Sequence, residues 1–311
     1  MGGPARLGGV DATGRSRGGL ADRVPAPAVF LTSGLTQYVG AALAVGLFAV
    51  LPAASVAWWR IAVSAVVLLA WRRPWRQAWT RVDLLGAAAF GVVLATMNVS
   101  FYIAIEHLPL GTAVAIEFLG PVAVAGITGR GWRDRVGIAL AAAGVVLLAG
   151  VQLDQAFTRD TVIGLVAIAG SAVSWAGYIL LGRRVALRRD GVSSLAVGMA
   201  AGTVVWVPLA FGAVAPVVTD PARAAAVVGV AVLSSVIPYV LEQLVLRRVT
   251  AARFAILLAM LPVTAALIGA VLLGQIPTVL DLVGMGLVCV AIVLSGQRPA
   301  GPDEPENPLP G

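Results

Sequence analysis

The sequence predicts an all-α polytopic membrane protein, with ten transmembrane helices arranged as two inverted five-helix repeats. Three observations carry this. The 311 residues are 59% hydrophobic and only 12% charged, where a soluble domain carries about 25% charged residues. Apolar runs long enough to cross a bilayer as helices recur from Val29 to Leu294. Arginine is dense in every second loop and sparse in the others. Barrel strands would alternate apolar and polar residues over about ten positions; these runs are continuous.

Along the chain, residues 1–28 are rich in Gly, Arg, Ala and Pro and lack the apolar core of a signal peptide. They are predicted to be a disordered cytoplasmic tail. Five spans follow in the first repeat (29–152): Val29–Leu51, Ala54–Trp71, Leu84–Ile105, Leu110–Ile127 and Val136–Val151. The first two are joined through "PAA" and should form a tight hairpin. The second repeat (153–296) holds Val162–Leu181, Ser193–Phe211, Ala224–Leu246, Ala252–Leu273 and Thr278–Leu294. Residues 297–311 are a second tail, Pro-rich and acidic.

The net charge is +7, and every basic residue is arginine. A basic balance can mark nucleic-acid binding. Here the arginines cluster between apolar runs, as in loops that face an anionic cytoplasmic leaflet, so no nucleic acid is expected. Of the 22 arginines, 19 fall on the side of the amino-terminal tail; only Arg159 and Arg223 fall on the other, and Arg60 lies within a span. Both termini are therefore expected in the cytoplasm, with the loop around Asp154–Asp160 outside. A missed span would scramble the alternation.

The halves resemble each other. "LPLGTAVAIEFLGPVAVA" can be laid on "VTAARFAILLAMLPVTAA", which brings Pro121 onto Pro262. An odd number of spans per half inserts the second half upside down. Secondary transporters are built this way, with the substrate site near mid-membrane between the halves.

Glu117 sits inside the apolar segment "AVAIEFLGPVAVA". A charged carboxylate at the centre of a membrane helix costs about 2.5–3.5 kcal/mol. It should face a cavity or a partner, or carry a proton, and a carboxyl of that kind suits proton coupling. The plainer reading is a structural Glu bonded to a neighbouring helix. Pro121 has no N–H, and its ring crowds the carbonyl four residues back, which is that of Glu117. The helix should bend there, and likewise at Pro262. Glu242 shares one helical stripe with Ser235, Pro238 and Tyr239. It is either a second coupling group or an interfacial Glu answering Arg247 and Arg248.

Asn98 and Tyr102 form a polar stripe on the third span; Ser171, Ser174, Trp175 and Tyr178 form one on the sixth. Tyr and Trp offer an apolar body with a polar handle, suited to a small amphiphilic substrate. The alternative is ordinary interhelical hydrogen bonding and small-residue packing. Arg60 and Glu117 sit at similar depth in their spans. Arg60 therefore pairs with Glu117, holds a substrate carboxylate, or snorkels to the outer surface. Glycine spacings are too common here to carry weight. His107 is the only histidine and Cys289 the only cysteine, so no metal site, cofactor or disulfide is expected.

These residues carry a family likeness. "MNVSFYIAIEHLPLGTAVAIEFLGPVAVA", "SAVSWAGYILLGRR" and "SSVIPYVLEQLVLRRVTAARFAILLAMLPVTAALIGAVLLGQ" resemble stretches of the drug/metabolite transporter superfamily, in its EamA-type branch. Within it they are most similar to the threonine/homoserine exporter group. The resemblance covers about residues 29–296 and implies an inner-membrane exporter of small amino acids or related metabolites, exchanging substrate for protons. It carries over to Glu117, Pro121, Tyr239, Glu242 and Pro262, with Arg253 where the family tends to be basic. One departure stands out: relatives usually read Gly-Glu where this chain has Gly274-Gln275.

The expected function is thus secondary export of a small metabolite, with Glu117 as the leading proton or ammonium site. Tyr102, Trp175, Tyr178 and Tyr239 would be cavity walls. Export of other metabolites or drugs within the same fold is the nearest alternative. A membrane-embedded enzyme for lipid precursors would need a His pair, an Asp-rich motif or a phosphate loop, none of which occurs in the sequence. A passive channel would lack coupling carboxylates.

Overall fold

The computed structural model describes residues 25–128, 131–155, 158–186, 191–211, 213–238, 241 and 257–296. Every regular element among them is helical. Both predicted tails lie almost wholly outside the described residues. So do Tyr239, Glu242 and Arg253, with the end of the eighth predicted span and the start of the ninth.

Helices α1 (Ala26–Leu47) and α2 (Ala53–Arg72) come first. The sequence extends the first span to Leu51, but the helix stops four residues sooner. Phe48 N–H bonds Val45 O and Val50 N–H bonds Leu47 O, closing a tighter turn. The cause is Pro52, which lacks an N–H and disfavours helical geometry in the residue before it. Helix α3 (Arg81–His107) starts on a capping box in which Thr80 and Asp83 satisfy each other's backbone N–H groups.

The predicted fourth span divides into α4 (Leu110–Glu117) and α5 (Leu119–Thr128), with the break at Phe118. Then come α6 (Trp132–Gln155), α7 (Arg159–Ala186) and α8 (Gly191–Val205). The seventh predicted span runs on to Phe211; beyond Val205 it becomes a 3-10 turn, Val207–Ala210, around Pro208. A short α9 (Val214–Val218) leads to α10 (Pro221–Ala231). Asp220 caps α10 by accepting from the N–H groups of Ala222 and Arg223, with proline at the first helical position. A π-helical turn, Val232–Val236, follows. Helices α11 (Met260–Leu273) and α12 (Val279–Gly296) complete the described chain.

Among the described residues, six helical segments are long and apolar enough to cross a membrane, and four shorter apolar helices accompany them. Large apolar side chains such as Ile127, Val146, Val166, Val173 and Phe211 point outward. A water-facing surface rarely tolerates so much of this. The protein is a multi-pass membrane protein.

The bundle packs α3 against α7 and α8, α2 against α8, α1 and α4 against α11, and α6 against α12. Glycine spacing, to which sequence reasoning gives no weight, decides the α3–α8 crossing. A Cβ on Gly91 would fall on the backbone of Gly198, so these helices approach at main-chain contact. Helices α6 and α12 meet in an antiparallel arrangement. A Cβ on Gly144 would stand 2.8 Å from the Gly284 carbonyl, and one on Gly284 3.2 Å from the Gly144 carbonyl. Laying Asp134 onto Asp281 carries Gly137 onto Gly284, Gly144 onto Ala291 and Leu148 onto Ser295. The contacts of Gly137 with Ala291 and Ser295 then become those of Gly284 with Gly144 and Leu148. This helix pair has a local two-fold relation, and the matching "D-x-V-G" stretches were its sequence signal.

Candidate functional site

Glu117 is the last residue of α4 and is buried, at 8% exposure. Its Oε1 lies 2.5 Å from the hydroxyl of Ser171 on α7. The same hydroxyl lies 2.9 Å from the Met97 carbonyl on α3. A serine hydroxyl has one hydrogen to give. Both bonds form only when Glu117 carries a proton and donates it to Ser171, which donates its own to Met97. With Glu117 ionised, the Ser171 hydrogen turns to the carboxylate and the Met97 bond is lost.

The break beside Glu117 follows from Pro121, which offers no N–H to the Glu117 carbonyl. A second break stands at Ala259, three residues before Pro262 as Phe118 stands three before Pro121. At this second break the Cys289 thiol donates to the Ala259 carbonyl at 3.2 Å. At the first, Phe118 is fully buried and meets the Trp175 ring edge-on, with centroids 4.7 Å apart.

Arg60 on α2 does not snorkel: it is 7% exposed and points into the bundle. Its Nε donates to Ser235 Oγ at 2.9 Å and its Nη2 to the Ser234 carbonyl at 2.6 Å. Pro238 explains why that carbonyl is available. It supplies no N–H four residues on, and the π-helical turn opens the backbone. The guanidinium also lies 5.3 Å from the centre of the Tyr102 ring. Arg60 makes no ion pair with Glu117, whereas Arg223 pairs with Asp220 at 3.0 Å.

Tyr102 is fully buried, yet its hydroxyl has no hydrogen-bond partner among the described residues. Asn98 is buried too, but its amide donates to the Leu94 carbonyl of its own helix at 2.8 Å. Tyr178 stacks on Phe90 at 4.8 Å between centroids. Two groups therefore emerge. Glu117, Ser171 and Trp175 gather where α3, α4 and α7 meet. Arg60, Tyr102 and the π turn gather around α2, which packs against α3, α10 and the π turn. Helix α3 joins them, since Met97 and Tyr102 are separated by roughly 7.5 Å along its axis. Sequence reasoning missed Ser234 and Phe118. Ser234 was detectable as the residue whose carbonyl Pro238 deprives of its donor.

Residues 162–297 match the EamA-like transporter family. Over 252 residues the chain is 33% identical to the threonine/homoserine exporter RhtA of Escherichia coli K12, spanning 81% of this chain and 84% of that protein. This chain belongs to the EamA-like transporter family. The threonine/homoserine exporter RhtA of Salmonella typhimurium LT2 is 32% identical over the same shares of the two chains. An uncharacterized transporter of Archaeoglobus fulgidus is 28% identical over 51% of this chain and 55% of its own. A protein of known crystal structure covers 87% of this chain and 96% of its own length, with a TM-score of 0.54 at 19% identity. That last likeness is one of fold alone.

In this EamA-family chain Gln275 has a definite position. Gly274, at φ 67°, ends α11 in left-handed geometry, and Gln275 N–H closes back on the Gly269 carbonyl at 3.0 Å. Its Oε1 then accepts from Leu110 N–H, the first residue of α4, at 2.9 Å. Among the described residues no group of three or more His, Cys, Asp or Glu gathers to hold a metal ion.

Proposed function

We propose that this protein exports small amino acids or related metabolites across the cytoplasmic membrane, exchanging them for protons by alternating access. One observation carries the reading: the bundle buries a carboxyl, Glu117, bonded to Ser171, which also bonds Met97 of α3, and a guanidinium, Arg60, lying against Tyr102 of the same α3, without an ion pair between them. Burying single charges is expensive, and a zwitterion compensates both at once. Its ammonium meets Glu117; its carboxylate meets Arg60, whose planar fork matches it. The names of the enterobacterial relatives, threonine/homoserine exporters, support this substrate class.

Proton exchange is supported by the single hydrogen of Ser171. Protonation of Glu117 decides whether α7 is tied to both α4 and α3 through Ser171, or to α4 alone with the Met97 bond lost. An incoming ammonium favours the ionised form, so substrate and proton compete for one group. Ten spans in two inverted halves are supported by the matched packing. α1 meets α11 as α7 meets α4, and α1 meets α10 as α7 meets α3. The two proline breaks fit the same scheme. The arginine distribution supports cytoplasmic termini, and Trp175, Tyr178 and Tyr239 are proposed wall residues with Glu242 a second carboxyl.

Proteoliposomes test this. L-threonine flux should follow an imposed pH gradient and collapse when a protonophore dissipates it. Flux indifferent to the gradient would remove proton exchange, and no threonine flux under either condition would remove the substrate class.

A further inference from the structure

At one end of the bundle, the α3–α4 connection, the end of α6 and residues 274–278 enclose a pocket of about 130 Å³. One water occupies about 30 Å³ in the liquid, so the pocket has room for a small polar molecule. Gly111, Thr112, Gln152, Gln275, Thr278 and Asp281 are among its lining residues. It is separate from the Glu117 and Arg60 groups.

Two walls of this pocket carry opposite charge. On one side stands Asp281, at 5% exposure. Its Oδ2 caps α12 by accepting from Thr278 N–H at 2.9 Å and from Thr278 Oγ1 at 2.8 Å. Capping uses one oxygen. The other, Oδ1, is buried and has no partner among the described residues. On the other side α4 begins, with no side-chain cap from Pro109. Gln275 takes the Leu110 N–H, and the first intrahelical bond runs from Ala113 N–H to the Pro109 carbonyl. Between them the N–H groups of Gly111 and Thr112 have no partner among the described residues, at the positive end of the helix dipole. Asp281, with its unpartnered carboxylate oxygen, and Gly111 and Thr112, with their open N–H groups, thus line one small cavity.

We propose that this pocket is a second amino-acid site. The N–H groups of Gly111 and Thr112 take the carboxylate, as helix N-termini take anions, and Asp281 takes the ammonium. The two walls together fit both ends of a zwitterion, where a plain amine or a plain carboxylate would meet only one of them. The substrate class rests on the exporter reading above. Thr112 and Glu117 lie on the same helix, separated by roughly 7.5 Å along its axis, so the pocket lies about one and a half turns of α4 from the central group.

The test uses the full-length protein in lipid nanodiscs and L-threonine binding by calorimetry. Glu117→Gln should retain one threonine site, and adding Asp281→Asn should weaken that site about tenfold or more, as loss of a charged hydrogen bond does. In the Glu117→Gln protein, 1-amino-2-propanol (no carboxylate) and 3-hydroxybutyrate (no ammonium) should each fail to compete. This arm needs no Asp281 variant, so it decides the matter even if that substitution prevents folding. Loss of all binding in Glu117→Gln overturns the second site and leaves the central one standing. Unchanged affinity on adding Asp281→Asn, or competition by the amine alone, also overturns it. Absence of threonine binding in the wild type removes the exporter reading together with this one.

Discussion

Ser171 and Glu117 are joined across α7 and α4 at 2.5 Å, and the same serine oxygen lies 2.9 Å from the Met97 carbonyl of α3. Three helices therefore meet on one hydroxyl that has a single hydrogen to give. The protonation state of the carboxyl sets whether both bonds stand or only the one to Glu117.

Glu117→Gln should abolish most pH-driven transport while leaving insertion and folding near normal. A glutamine amide donates permanently to Ser171, so the variant holds the bonding of the protonated acid and cannot leave it. Gradient-driven threonine flux in proteoliposomes should fall at least about tenfold, the effect of about 1.4 kcal/mol on a rate. A wild-type rate with unchanged pH dependence would make Glu117 a structural residue.

Ser171→Ala removes one hydrogen bond from a buried carboxyl, a loss of about 1–3 kcal/mol. The protonated-carboxyl band assigned by its absence in Glu117→Gln should shift in the infrared spectrum, and the pH profile of transport should move with it. Ser171→Thr keeps the hydroxyl and should restore both. If alanine and threonine behave alike, the hydroxyl does not report on Glu117.

Arg60 and Pro238 should be energetically coupled. Replacing Arg60 with Met removes a donor from the Ser234 carbonyl, whose α-helical donor position is occupied by Pro238. Pro238→Ala returns an N–H to that carbonyl. The double variant should lose less thermal stability than the sum of the single variants, by about 0.5–3 kcal/mol, as for other residues sharing one partner. Additive losses would show that the carbonyl does not mediate between them.

Topology can be read by single-cysteine labelling in a Cys289→Ala background. An impermeant thiol reagent added outside intact cells should modify a cysteine at position 157 and leave one at position 186 untouched. Modification at 186 would reverse the orientation drawn from the arginines.

The sequence alone determined the solvent of this protein, its helical class and its membership of a transporter family. It could do so because hydropathy, arginine bias and proline positions act locally and need no knowledge of neighbours. Glu117, Arg60 and Pro121 stood out for the same reason, since each is costly in an apolar helix wherever that helix packs. Partners are another matter, because hydrogen bonds between helices form across large separations in sequence. Only the tertiary structure took Arg60 off the surface and turned it to Ser234 and Ser235, and only packing brought Ser171 to Glu117. Asn98 looked like a cavity residue by its spacing, yet its amide is spent on its own helix. Asp281 drew no notice in the sequence, and only folding brings it to one pocket with the start of α4.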